Sequence, residues 1–90
     1  MSGEAKRQID ELREKIDAID SHLVEDLNSR AGLALEIRKI KAENKLPLYD
    51  PGREEDIFQK ITSINNGPLY DDDLRVIFET ILHAMKNAES

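Results

Sequence analysis

From Lys6 to about Asn44 the chain contains no proline and a single glycine, Gly32. Across this stretch Leu12, Ile16, Ile19, Leu23, Leu27, Ala34 and Ile37 recur in steps of three and four, with position 30 completing the series. Their mean step is the α-helical period of about 3.6 residues, so the spacing predicts one helix of roughly 35 residues, about 50 Å long. Helices in globular proteins average about 10–14 residues. A chain of 90 residues cannot cover so long an apolar stripe with what remains of it. A second copy of the chain is the expected cover.

Size argues in the same direction. Residues 1–90 form one small domain, and a domain of that size buries only about 60–65% of the surface its unfolded chain exposes. The sequence has no cysteine and no Cys/His cluster, so neither a disulfide nor a structural metal is expected to support it. Small chains without such staples often gain their core by oligomerising. Charged residues make up 36% of the chain and hydrophobic residues 39%, with four aromatics (Tyr49, Phe58, Tyr70, Phe78), a profile of solvated helices with aliphatic seams. The net charge of −6 disfavours a nucleic-acid partner, which calls for a basic footprint. The first residues lead straight into a charged helix with no apolar core of a signal peptide. No apolar run approaches the roughly 18 residues of a membrane span. A cytoplasmic protein without a membrane or nucleic-acid partner is the expectation.

Pro47 makes it unfavourable to continue the first helix through Asn44–Tyr49. A second helix is predicted from Asp50-Pro51, because Asp is a preferred N-cap and Pro is favoured at the first helical position. It carries Ile57, Ile61 and Ile64 and stops at the turn signal Asn65-Asn66-Gly67-Pro68. A third begins in Asp71-Asp72-Asp73, where carboxylates suit the positive end of the helix dipole, and presents Leu74, Ile77, Phe78, Ile81, Leu82 and Met85. The expected architecture is all-α, with long, short and medium helices in that order.

Several charges interrupt these seams. Arg30 occupies a slot that the step pattern reserves for an apolar residue, and Lys41 follows eleven residues later. Eleven residues are about 20° past three full turns, so both cations share one face roughly 16 Å apart. Either their aliphatic stems lie along the seam with the charges reaching water or an acid such as Glu36 or Glu43, or they bind an anion. Arg13 lies about 100° and roughly 25 Å from Arg30 on the helix. It is either a solvated surface residue or, in a dimer, a contributor to the other chain's site. Asp50, Arg53 and Glu54 open the second helix, either as cap and ordinary first-turn residues or as groups converging on a polar ligand. Glu89 continues the stripe of the third helix four residues after Met85, or else belongs to a fraying C-terminus. His22 and His83 have no nucleophile or metal-ligand company and read as surface or rim residues. No glycine-rich phosphate loop or zinc spacing occurs.

The run Leu12-Arg13-Glu14-Lys15-Ile16-Asp17-Ala18-Ile19-Asp20, then Arg30, Ile40-Lys41 and Pro47-Leu48-Tyr49-Asp50-Pro51-Gly52-Arg53-Glu54, resembles the all-helical (AroQ-class) chorismate mutases. The likeness covers nearly the whole chain, and its specificity lies in the set. The resemblance implies an intertwined helical homodimer that converts chorismate to prephenate by a [3,3]-sigmatropic rearrangement, with no cofactor or metal. That chemistry needs a folded substrate and stabilisation of charge at the breaking C–O bond, not a nucleophile. By resemblance, Arg30 and the Arg13 of the other protomer clamp the two substrate carboxylates through guanidinium forks. Lys41 donates to the ether oxygen and to a carboxylate, Arg53 supports the carboxylate end, and Glu54 with the backbone at Asp50 holds the ring hydroxyl. Glu89 falls where the family carries a second ether-oxygen donor, usually Gln.

Two positions depart from the pattern. Met85 stands where relatives often have a small polar residue that helps bind a carboxylate, so that contact is lost or passes to backbone or water. Glu89 can donate only when protonated. Two other readings remain. An isochorismate-pyruvate lyase shares the fold, although Arg53-Glu54 favours the mutase. A non-catalytic helical dimerisation or regulatory module would explain the long seam but not Arg30 and Lys41. Mutase domains also occur fused to other enzymes of aromatic amino-acid synthesis; a free-standing enzyme is expected here.

Overall fold

A computed structural model describes residues 3–87 of the chain, with Asn87 in backbone only. Three helices follow one another, α1 (Gly3–Glu43), α2 (Pro51–Ile64) and α3 (Asp71–Asn87). No strand occurs among the described residues, so the order long, short, medium is as expected. α1 runs to 41 residues, beginning three residues before the predicted start. The chain divides into two compact units, one up to Leu33 and one from Ala34 onward.

In the first unit, α1 begins with side-chain pairs one turn apart: Arg7 with Glu4, and Lys6 Nζ 2.9 Å from Asp10 Oδ2. Such exposed pairs support a helix by only about 0.3–0.5 kcal/mol each. The apolar stripe that follows is uncovered. Leu12, Ile16, Ile19 and Leu23 are each more than half exposed, and no residue anywhere in α1 is buried. Burying a Leu or Ile side chain is worth about 1.5–3 kcal/mol. The energy available to this unit therefore lies in a surface still to be covered.

The second unit begins with the last turns of α1. The helix is closed by backbone bonds from Leu46 N to Lys41 O (2.8 Å) and from Lys45 N to Ala42 O (3.3 Å). Lys45 takes a left-handed conformation (φ 54°) to make them. These two bonds around a left-handed residue form a Schellman closure, which satisfies carbonyls that the helix end leaves open. On this stretch the half-buried residues are Ala34, Arg38 and Lys41, spaced by four and three, while Ile37 is 54% exposed. Ala34 and Lys41 lie on the expected stripe; within the single chain Arg38 is covered between them, while Ile37 joins the exposed part of that stripe. Long stems replace the isoleucine on the covered side: Arg38 packs deeply enough to bury its Nε. Arg30 and Lys41, expected on a buried stripe, are both half-buried in this structure.

The core of the unit is small. Ile57, Phe58 and Ile61 of α2 are buried, and Leu74, Phe78 and Leu82 of α3 pack against them. Both sets follow the one-face spacing of an amphipathic helix. Arg75 extends the contact, its guanidinium carbon 4.3 Å from the centre of the Phe58 ring and its Nη2 3.5 Å from Glu55 Oε2. Between the helices, the Asn65 amide donates to Leu69 O (2.9 Å) and to Asp71 Oδ1 (2.8 Å), and its oxygen accepts from Gly67 N–H (3.1 Å). Gly67 has φ 73°, a region that disfavours side chains. One side chain thus ties the end of α2 to the start of α3.

Candidate functional site

The polar residues of the second unit are set in place by how its helices begin and end. Asp50 is the N-cap of α2, its Oδ1 accepting from Arg53 N–H at 3.1 Å, with Pro51 at the first helical position. This fixes the first turn and with it the departure directions of Arg53 and Glu54. Arg53 is exposed and Glu54 half-buried. Lys41, two residues before the end of α1, reaches into the α1–α2 connection so that its Nζ lies 3.5 Å from Leu48 O. A half-buried ammonium that donates to a carbonyl keeps further N–H bonds for a ligand.

On α3, Met85 is half-buried, as befits the end of an apolar stripe. Its neighbour Lys86 carries the polar contact: Nζ is 2.9 Å from Glu54 Oε1 and 5.4 Å from the centre of the Tyr49 ring. The Glu54 hydrogen bond is the main reason the Lys86 ammonium titrates above the ordinary lysine value of 10.5. A groove of about 300 Å³ runs beside this pair, lined by Glu54, Phe58, Glu79, Leu82, His83 and Lys86. His83 is exposed on its rim, and His22 is exposed on α1.

Of the residues singled out in the sequence, Lys41, Asp50, Arg53, Glu54 and Met85 lie in the second unit, where Asp50 and Arg53 are joined by the cap. Arg13 and Arg30 belong to the first, with Arg13 exposed and Arg30 half-buried. Glu89 lies outside the described residues. Two cations were missed. Arg38 continues the Ala34 row at i+4, and Lys86 continues the row Leu74–Phe78–Leu82 at i+4. The test that found Arg30, a charge standing where a helical row calls for an apolar residue, finds both when applied to those rows. Among the described residues no group of three or more His, Asp or Glu side chains could hold a metal ion, and no helix is long and apolar enough to cross a membrane. In the second unit the structure thus shows one carboxylate, Glu54, held by Lys86 beside a groove, and a half-buried ammonium, Lys41, on a carbonyl.

Known proteins resemble the chain over almost all of its length. The model of the family described as chorismate mutase type II matches residues 12–90. A bifunctional chorismate mutase/prephenate dehydratase from Aquifex aeolicus is 45% identical over 58 residues, 64% of this chain and 16% of that protein. The chain thus spans about a sixth of that relative's length. A chorismate mutase from Methanocaldococcus jannaschii is 30% identical over 77 residues, covering 84% of this chain and 78% of that one. Among solved structures, a chorismate mutase from Thermus thermophilus (form II) superposes with a TM-score of 0.87 at 34% identity, over 89% of this chain and 91% of its own.

Proposed function

Because the chain belongs to the chorismate mutase type II family, we propose that it converts chorismate to prephenate by rearranging the substrate within a helical homodimer. The observation that carries this reading is that the family match, residues 12–90, takes in every charge that stands out of place in the helical pattern. The reaction breaks a C–O bond and forms a C–C bond in one molecule, with no proton transferred and no covalent intermediate. The protein's part is therefore to hold the reactive conformer and to meet the negative charge that grows on the ether oxygen.

In this reading Arg30 binds one substrate carboxylate and Arg13 of the second protomer the other, each able to use a two-point guanidinium fork. Lys41 donates to the ether oxygen, which suits its position beside the Leu48 carbonyl, where its stem is constrained. Arg53 supports the carboxylate end, while Glu54 and the backbone at Asp50 take the ring hydroxyl. Glu89 acts as the second donor to the ether oxygen, in its protonated form. Met85 offers no polar atom of use, so that carboxylate contact is lost or passes to a backbone group or water. The exposed stripe Leu12–Ile16–Ile19–Leu23 becomes the dimer seam.

The test is an assay of chorismate consumption by the purified protein and by Arg30→Ala and Lys41→Ala. Removing one preorganised donor of this kind costs on the order of 10²–10³ in kcat, and losses of that size are expected for Lys41→Ala. An inactive parent, or either variant at full rate, removes the enzyme reading. Release of pyruvate from isochorismate in place of prephenate formation would identify the lyase instead.

A further inference from the structure

Glu54 stands out electrostatically in a site proposed for a dianion. An anionic side chain beside two substrate carboxylates opposes binding unless something offsets its charge, and a carboxylate on a flexible stem points at a hydroxyl only if something holds it. The structure supplies one side chain able to do both. Lys86 Nζ lies 2.9 Å from Glu54 Oε1, and the same ammonium stands over the Tyr49 ring, 5.4 Å from its centre. The three residues come from the α1–α2 connection, the first turn of α2 and the last turns of α3, so the contact fixes Glu54 from outside its own helix. A carboxylate has acceptor capacity on both oxygens, and Oε2 can accept from a ligand hydroxyl while Oε1 is held.

We propose that Lys86 is a positioning residue for substrate binding: it anchors the Glu54 carboxylate through Oε1, aims it at the ring hydroxyl, and offsets its charge against the substrate dianion. The proposal rests on the chorismate reading of the site. Lys86 does not touch the reacting atoms; it acts through Glu54. The pair is a durable one at neutral pH. A lysine whose pKa is raised in the folded protein keeps its partner below the ordinary lysine value and loses it only as pH rises through the raised one.

Because the interaction orients and balances a group that contacts substrate before and during the rearrangement, its loss falls on KM and leaves kcat nearly unchanged. Lys86→Met keeps the aliphatic stem and removes the charge. It is expected to raise the KM for chorismate on the order of two- to fivefold, the range of a half-exposed ion pair. Lys86→Arg, which retains charge and donors, should restore KM to within about twofold of the parent. Glu54→Gln alone should lower kcat/KM on the order of tenfold, as for loss of a hydrogen bond to a charged group. Adding Lys86→Met to Glu54→Gln should then change nothing further, since the carboxylate it serves is gone. A parental KM in Lys86→Met, failure of Lys86→Arg to rescue, or the same rise in both backgrounds overturns the positioning role. A Glu54→Gln variant with full kcat/KM overturns the hydroxyl-binding role of Glu54 itself, and the two failures are told apart by that single variant.

Discussion

At Lys41, Arg38 and Lys86 the stem and the head of one side chain do different work. The stems lie along rows where helical spacing calls for apolar residues, and the heads reach a carbonyl at Lys41 and a carboxylate at Lys86. Replacing such a residue therefore removes packing as well as charge, which is why Met, with its similar length, is the informative replacement for lysine. The role proposed for Glu89 poses the opposite problem, because it depends on a proton. As the second donor to the ether oxygen it works only as the neutral acid. Ionisation removes its only donor. The expected profile is a kcat/KM that declines as pH rises through its titration, whereas Glu89→Gln, a donor at every pH, holds its value across the same range. Superimposable profiles of parent and variant between about pH 4.5 and 8 would take Glu89 out of the site.

At the scale of elements, the α2–α3 connection depends heavily on one amide. Asn65 donates to Leu69 O and Asp71 Oδ1 and accepts from Gly67 N–H, and it is half-buried. With a net value of about 0.5–1.5 kcal/mol for each of the three bonds, Asn65→Ala should cost roughly 1.5–4.5 kcal/mol of stability. Asn65→Asp has the same shape and keeps the acceptor for Gly67, yet turns an oxygen towards the Leu69 carbonyl and the Asp71 carboxylate. It should cost at least as much as alanine. Urea unfolding at matched protein concentration measures both; midpoints equal to the parent's would show that the connection is held by something else. Elements of this kind differ in how readable they are from sequence. The start of α2 is legible in Asp50-Pro51 because cap and first-turn preferences are local. The end of α1 is half legible: Pro47 announces the break, but the closure falls on Lys45, whose left-handed conformation no lysine advertises. Of the covered residues Ala34, Arg38 and Lys41, the expected stripe marked Ala34 and Lys41 but not Arg38. Periodicity says which residues share a face, and Ile37, on the expected one, is 54% exposed in the single chain while Arg38 beside it is covered. Which face is covered depends on packing between elements distant in sequence. Lys86 escaped for a related reason, since its partner Glu54 lies 32 positions away.

For the whole molecule, the decisive feature is the one from which the fold could first be read: a helix longer than its chain can cover. Six large apolar side chains of α1 stand more than half exposed in the first unit, Leu12, Ile16, Ile19 and Leu23 of the stripe with Val24 and Leu33. Against them stands a core of three buried residues in the second. In the proposed homodimer a second copy of the chain would supply the missing surface by symmetry, since a two-fold interface lets one stripe cover its own counterpart. The same symmetry makes the proposed site a shared one, with Arg30 and Arg13 drawn from different protomers. This has a consequence that no single-chain site can imitate. Arg13→Ala homodimers lack the crossing arginine in both sites, and Arg30→Ala homodimers lack the resident one, so each preparation alone should be nearly inactive. Unfolded together and refolded as a mixture, they form mixed dimers in which one site receives both intact arginines and the other receives neither. Random pairing makes half of the dimers mixed, and half of the sites in those are complete, so the mixture should recover about a quarter of the parental rate. If Arg13 served its own protomer's site, every site would lack one arginine and mixing would recover nothing. A mixture no more active than its components therefore rules out the crossing arginine, whether or not the chain dimerises.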